Sequence, residues 1–216
     1  MKDSLPKLRL VKFDEDKHLP KTVEEKLSDD FFVLLTAYIG ESGGLEVNRL
    51  NLQKTIFLTK IVLHEKGIKF FNTSFYKYLY GPYQKRVHFS TQRLVNYSLI
   101  EEEEKTGNNI VLTNEGINFL IFTLEKLSAN PAFKEYQDIA RGFLKEYSGK
   151  KAYKSIDLTH SMKVQIDGGI KTIEELADSE DFYLEPANTV KYKTEIVAPG
   201  EAVTNLLNYR EYALHP

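Results

Sequence analysis

The chain has 216 residues, 29 Lys and Arg against 31 Asp and Glu for a formal charge of −2, and 42% hydrophobic residues, a globular composition that excludes a disordered or fibrous protein. The absence of cysteine excludes a disulfide framework, a thiol nucleophile and a thiolate metal site, and suits a reducing cytoplasm. No apolar run approaches the ~18–20 residues of a spanning helix, and no apolar segment follows the charges at Met1; the expectation is a cytoplasmic protein without a membrane partner.

Residues 1–27 carry mixed charge with Pro6 and Pro20, and Leu8 and Leu10 alternate with Lys7 and Arg9 as a short edge strand would. Ser28, followed by Asp29 and Asp30, predicts the cap of a first helix through Phe31, Leu34, Leu35 and Tyr38, ended by Gly40, Gly43 and Gly44. Asn48 predicts the cap of a second, with Leu52, Ile56 and Leu63 as its stripe and Gly67 after its end. Gly81-Pro82 then predicts the start of a third helix over about 82–97, since proline is tolerated in a first turn. Its inner face reads Tyr83, Val87, Thr91 and Leu94; its outer face reads Lys85, Arg86, Phe89, Gln92, Arg93 and Asn96.

Leu99 to Glu101 and Ile110 to Leu112 read as a hairpin about the turn Thr106 to Asn109. Thr113 caps a fourth helix over Ile117 to Leu127, and a fifth follows Asn130-Pro131 and ends near Gly149. The run Ser155 to Gln165 alternates polar and apolar residues with period 2 and predicts a half-buried strand, His160 on its apolar face. Thr172 to Ala177 reads as a short capped helix and Val190 to Ile196 as a second strand.

Helix, helix, helix, hairpin, helix is the order of a winged helix. The predicted fold class is α+β: a mainly helical winged-helix-like core with a two-stranded wing, plus a C-terminal extension containing β-strands. The corresponding segments are an N-terminal arm (1–27), the core (28–149) and the extension (150–216), whose two amphipathic strands must cover this core or a partner.

The most unusual composition lies at 66–100, which holds no Asp or Glu, six cations and nine aromatic residues. Arg and Lys on the outer face of a third helix suit phosphate contacts, and Gln92 and Asn96 have the chemistry to read adenine edges. Against DNA stands the wing, where Glu101 to Glu104 would repel a phosphate backbone. An Arg-bearing, aromatic-rich face is equally the composition of a protein-binding hot spot.

Asn51 to Leu58 (NLQKTIFL), Phe75 to Tyr83 (FYKYLYGPY), Leu94 to Ile100 and Leu112 to Gly116 together resemble the Panacea domain, the SocA-like antitoxin family. The resemblance covers about residues 28–127. It implies a prokaryotic or phage protein of a toxin–antitoxin system that neutralises a toxin by direct contact, although the family also includes a protease adaptor. Gln84 stands where a small residue usually follows the Gly-Pro-aromatic step, Ser98 stands where the pattern has Gly, and the tail after 150 has no counterpart. In purely structural terms Leu52 and Ile56 are core, Gln53 and Lys54 cap or solvate their helix, and Gly81-Pro82 sets a helix entry angle.

Nothing in the sequence assembles an active site. The five histidines have no metal spacing, His64-Glu65 lacks a second His, and Gly40 to Gly44 lacks the Lys-Ser/Thr of a P-loop. The expectation is therefore a non-enzymatic binding module with no catalytic residue, metal or cofactor. Its partner is a protein such as a toxin, with DNA as the alternative and a homodimer open. The contact is expected from Tyr76, Tyr78, Tyr80, Lys85, Arg86, Phe89, Gln92, Arg93 and Asn96.

Overall fold

In the computed structural model, which describes residues 5–103 and 109–214, the N-terminal segment forms strand β1 (Leu8–Lys12) and one helical turn, α1 (Glu15–His18), before the long helix α2 (Val23–Ser42). Thr22, not Ser28, starts α2: its hydroxyl accepts the N–H of Glu25 at 3.1 Å, and the Glu25 carboxylate accepts the N–H of Thr22 at 3.3 Å. Ser28 lies inside the helix and accepts the N–H of Ala198 at 3.2 Å. The helix also continues through Gly40 and ends at Gly43 and Gly44.

Helix α3 (Arg49–Glu65) starts at a capping box of Asn48 and Asn51 and ends before Gly67, whose φ of 74° is the left-handed value that favours glycine. Strand β2 (Ile68–Lys69) and the hairpin β3 (Phe75–Tyr78) and β4 (Gly81–Tyr83) follow. Pro82 is therefore in a strand, not a first helical turn. Helix α4 (Lys85–Asn96) starts three residues later, capped by the Gln84 side chain. The expected hairpin is present as β5 (Ile100–Glu103) and β6 (Asn109–Leu112); Glu104 and most of the turn lie outside the described residues. Helices α5 (Asn114–Ser128), capped by Thr113, and α6 (Pro131–Tyr147), capped by Asn130, occupy the expected places.

The extension departs most from expectation. Ala152–His160 is helix α7, not a strand; only Lys163–Ile166 is extended, as β7. Ala152, Ser155, Leu158 and Thr159 are buried, a helical face that includes two hydroxyl residues. Ser155 Oγ donates to the Ala152 carbonyl at 2.6 Å and Thr159 Oγ1 to that of Ser155 at 2.9 Å. Satisfied in this way, both tolerate burial. The alternation read on the letters treated them as outward-facing.

Strand β8 (Gly169–Thr172) pairs with β7, and Thr172 begins a single capped turn rather than a helix. Strand β9 (Phe182–Pro186) and helix α8 (Gly200–Leu214) were not expected, and of Val190 to Ile196 only β10 (Thr194–Glu195) is a strand, parallel to β2.

One mixed sheet of six strands, in the order β4-β3-β9-β1-β7-β8, draws on the arm, the core and the extension. β1 is interior, not an edge: it runs antiparallel to β9 with Leu10 opposite Leu184, and parallel to β7 with Leu8 opposite Val164. Leu8 is fully buried. The helical half gathers around α2, which touches α3, α4, α5, α6 and α8. Every residue from Leu27 to Ala37 is buried; a helix covered on all sides needs no polar face. The molecule is thus mixed α/β, with helices gathered against one curled sheet.

Ser98 closes α4 in the left-handed region at φ 56°, where its N–H bonds to the Val95 carbonyl at 2.9 Å and that of Leu99 to the Leu94 carbonyl at 3.0 Å. An L-residue there costs about 1–2 kcal/mol, of which glycine's extra unfolded freedom would offset about 0.5–1. Ser98→Gly should therefore raise the unfolding free energy by about 0.5–1 kcal/mol in a urea titration.

Candidate functional site

Gln53 and Lys54 lie one turn into α3, on the side facing the β3–β4 hairpin. They neither cap nor solvate the helix; both are buried. Gln53 Nε2 donates to the Gln84 carbonyl at 3.0 Å, and the Gln84 N–H donates back to Gln53 Oε1 at 3.1 Å. Lys54 Nζ donates to the Pro82 carbonyl at 2.7 Å. Gln84 extends the clamp: its Nε2 donates to the Ser74 carbonyl while its Oε1 accepts the Arg86 N–H at 3.2 Å. A small residue at 84 would lose both contacts.

Glycine at 81 is demanded twice. Its φ is 88°, and a Cβ there would lie 3.0 Å from Thr159 Oγ1 and 3.1 Å from the His160 ring. His160 closes α7 beneath this step. Its Nε2 is buried without a hydrogen-bond partner.

The clamp leaves a cavity of about 300 Å³ between the hairpin and the first turns of α3 and α4. Arg49, Leu50, Gln53, Lys54, Tyr78, Tyr80, Gly81, Tyr83, Val87, His88 and Thr91 line it. Arg49 forks onto Glu102 of the wing through Nε and Nη2, at 2.6 and 2.8 Å, and its Nη1 donates to His88 Nδ1 at 2.8 Å. Burial and the Arg49 cation lower the His88 pKa. Burial, with a smaller contribution from Lys77, lowers that of Lys54 to about 7.

The predicted contact residues separate. Tyr78 and Tyr80 line the cavity and project from the hairpin with Leu79 between them; their exposures are 43%, 62% and 59%, and that of Phe89 is 48%. Phe89 is in ring contact with His88 at the cavity wall. Gln92 is exposed on α4. Tyr76 is buried, its ring against Tyr83 and Tyr183, and leaves the contact set.

Two cations of the outer face are already paired. Lys85 pairs with Glu180, whereas Arg86 is half-buried, without an ion pair among the described residues, in a hollow it shares with Asp14, Glu15, Asp16, Lys21 and Lys26. Arg93 forks onto the buried Asp30 at 2.6 and 2.9 Å, with the Ser90 hydroxyl donating to the same carboxylate. Asn96 belongs to a separate groove of about 690 Å³ between the end of α4, α5 and α8, with Tyr97, Asn118, Phe122 and Asn208.

Arg49 and His88 were missed as site residues. The signal for Arg49 was available, a cation opening α3 opposite the acidic wing, but only the tertiary fold sets Glu102 before it. Among the described residues no three His, Asp or Glu side chains could hold a metal ion, and no helix is long and apolar enough to cross a membrane. Comparison with protein-family models, with curated proteins and with solved structures matches this chain to none of them.

Removing one partner of a buried ion pair strands the other, so Arg93→Ala should lower stability by about 3 kcal/mol, measured by urea unfolding. Lys54 gives a pH signature. Its folded pKa of about 7 lies below the ordinary 10.5, so between these values the unfolded chain binds the extra proton and raising the pH favours the folded state. Wild-type stability relative to Lys54→Met should rise from pH 7 towards pH 10 and be flat below about pH 6.

Proposed function

We propose that this chain is a non-enzymatic protein-binding module with a winged-helix-type core, antitoxin-like in its mode of action, and that it docks a protein partner on the rim of the cavity. One observation carries the reading: the hairpin holds Tyr78, Leu79 and Tyr80 consecutively in solvent, and Phe89 is exposed on α4 next to His88 of the cavity lining. Four large exposed side chains, two of which line the cavity, are the usual anchors of a protein interface. Completing the burial of each is worth about 1 kcal/mol or more.

The segment order α2, α3, α4, β5–β6, α5 and the meeting of Gln53-Lys54 with Gly81-Pro82 in one clamp are consistent with the Panacea-like pattern. Neither is specific to an antitoxin, and the reading rests on the exposed rim. DNA binding by α4 has less support. Phosphate neutralisation requires cations free to displace counterions, whereas Lys85, Arg93 and Arg49 are engaged by Glu180, Asp30 and Glu102.

The test is Tyr80→Ala with Phe89→Ala. Both side chains are exposed, so the unfolding free energy should move by less than about 1 kcal/mol, while co-purification of a partner from the native host should be lost. An unaltered complex rejects this surface. A salt-steep gel shift with duplex DNA, abolished by the same pair, would transfer the site to nucleic acid.

A further inference from the structure

Lys54 presents an electrostatic imbalance. The residue is buried and lines the cavity, and its Nζ meets only the Pro82 carbonyl, with no carboxylate at ion-pair distance among the described residues. The other charges around it are accounted for. Arg49, at the start of α3, is satisfied by both oxygens of Glu102 on β5, and Lys77 on β3 is paired with Asp178.

His160 on α7 lies within electrostatic reach of Lys54, Lys77, Glu174 and Asp157, and the lining adds His88 from α4, with a lowered pKa, and the tyrosines of the hairpin. The cavity lining itself therefore holds two cations and no carboxylate, and Glu102, outside the lining, serves only the first. A half-buried lysine makes the contrast. Lys60 also donates to a single carbonyl, that of Thr73 at 2.7 Å, but the buried carboxylate of Asp29 supplies its countercharge.

We propose that the cavity is a receptor for a small organic monoanion, its carboxylate seated against the Lys54 ammonium and its flat apolar body among the rings of Tyr78, Tyr80 and Tyr83. When protonated, Lys54 presents one uncompensated unit charge and calls for one negative charge, not the two of a phosphate monoester, and the one arginine fork among the described lining residues, that of Arg49, is taken by Glu102. Three tyrosine rings favour an aromatic or flat body. A volume of about 300 Å³ is the lower end of ligand cavities and suits a single ring. The proposal stands whether or not a protein docks on the rim.

The probes are benzoate and its neutral isostere benzamide, titrated into the full chain by calorimetry in a buffer without other carboxylates. Benzoate should bind, with benzamide at least tenfold weaker. Benzoate affinity should fall at least tenfold from pH 6.5 to pH 8.5 as Lys54 loses its proton, the ligand staying ionised throughout. Tyr80→Ala, at an exposed position, should weaken benzoate several-fold while keeping that pH slope, and Lys54→Met should abolish both binding and slope. The wild-type comparison needs no variant to fold. Equal affinity for the two probes, no benzoate binding, or a pH-independent affinity would each overturn the proposal. A blocked peptide acid binding more tightly than benzoate would overturn the assignment to a small molecule.

Discussion

The amide of Gln53 and the ammonium of Lys54 hold the backbone of β4 and Gln84 against α3. On this clamp hang the direction in which α4 leaves the sheet, the position of the β3–β4 hairpin, and the cavity between them. A strand that begins with Gly81-Pro82 lacks the proline N–H for an ordinary ladder. Side chains from a neighbouring helix supply the missing fixings. Burying an amide and an ammonium is costly unless their hydrogen bonds are met by groups that cannot move away. Backbone atoms of a short strand meet that condition.

A second pair of adjacent residues organises the other side of the core. Asp29 and Asp30 are successive, and both are buried in α2. Asp29 accepts the N–H groups of Asn72 and Thr73 and the Thr73 hydroxyl. It thereby fixes the turn in which Phe71 adopts a left-handed φ of 59°, a conformation that a bulky residue keeps only where its surroundings enforce it. Burial raises the pKa of Asp29 to about 6 even so. Asp30 faces α4, where Arg93 and Ser90 close around it. One helical step separates the two carboxylates, so they point to different neighbours and tie the turn before β3 and the middle of α4 to one helix.

These networks explain why an acid-free stretch of six cations leaves little free positive surface. Charge counted along the chain is local in sequence, whereas neutralisation is local in space. Lys77, Lys85 and Arg93 find Asp178, Glu180 and Asp30, up to about a hundred residues away. What remains unpaired in the neighbourhood, among the described residues, is the half-buried Arg86, apolar surface at the hairpin tip and one buried lysine behind it.

Much of the helical half was legible from local signals alone. Asn48, Thr113, Asn130 and the Gly-rich ends of α2 and α3 mark their helices because capping is decided within four residues, and the wing follows from two apolar runs about a polar turn. Phe89, Tyr78 and Tyr80 could be read as exposed because they sit among polar or turn-forming residues. Tyr76 could not: its burial depends on Tyr183, more than a hundred residues later. Arg93 looked free because nothing near it in sequence is acidic. β1 became an interior strand only through β7 and β9, and α7 a helix only because Ser155 and Thr159 satisfy their own hydroxyls. The sequence by itself determined helix ends, turns and the apolar stripe of each element, since these rest on short-range hydrogen bonds and periodicity. Only the tertiary structure decided which charges cancel, which rings are covered, and that Lys54 keeps an ammonium with no anion beside it, since each depends on partners that chain separation hides.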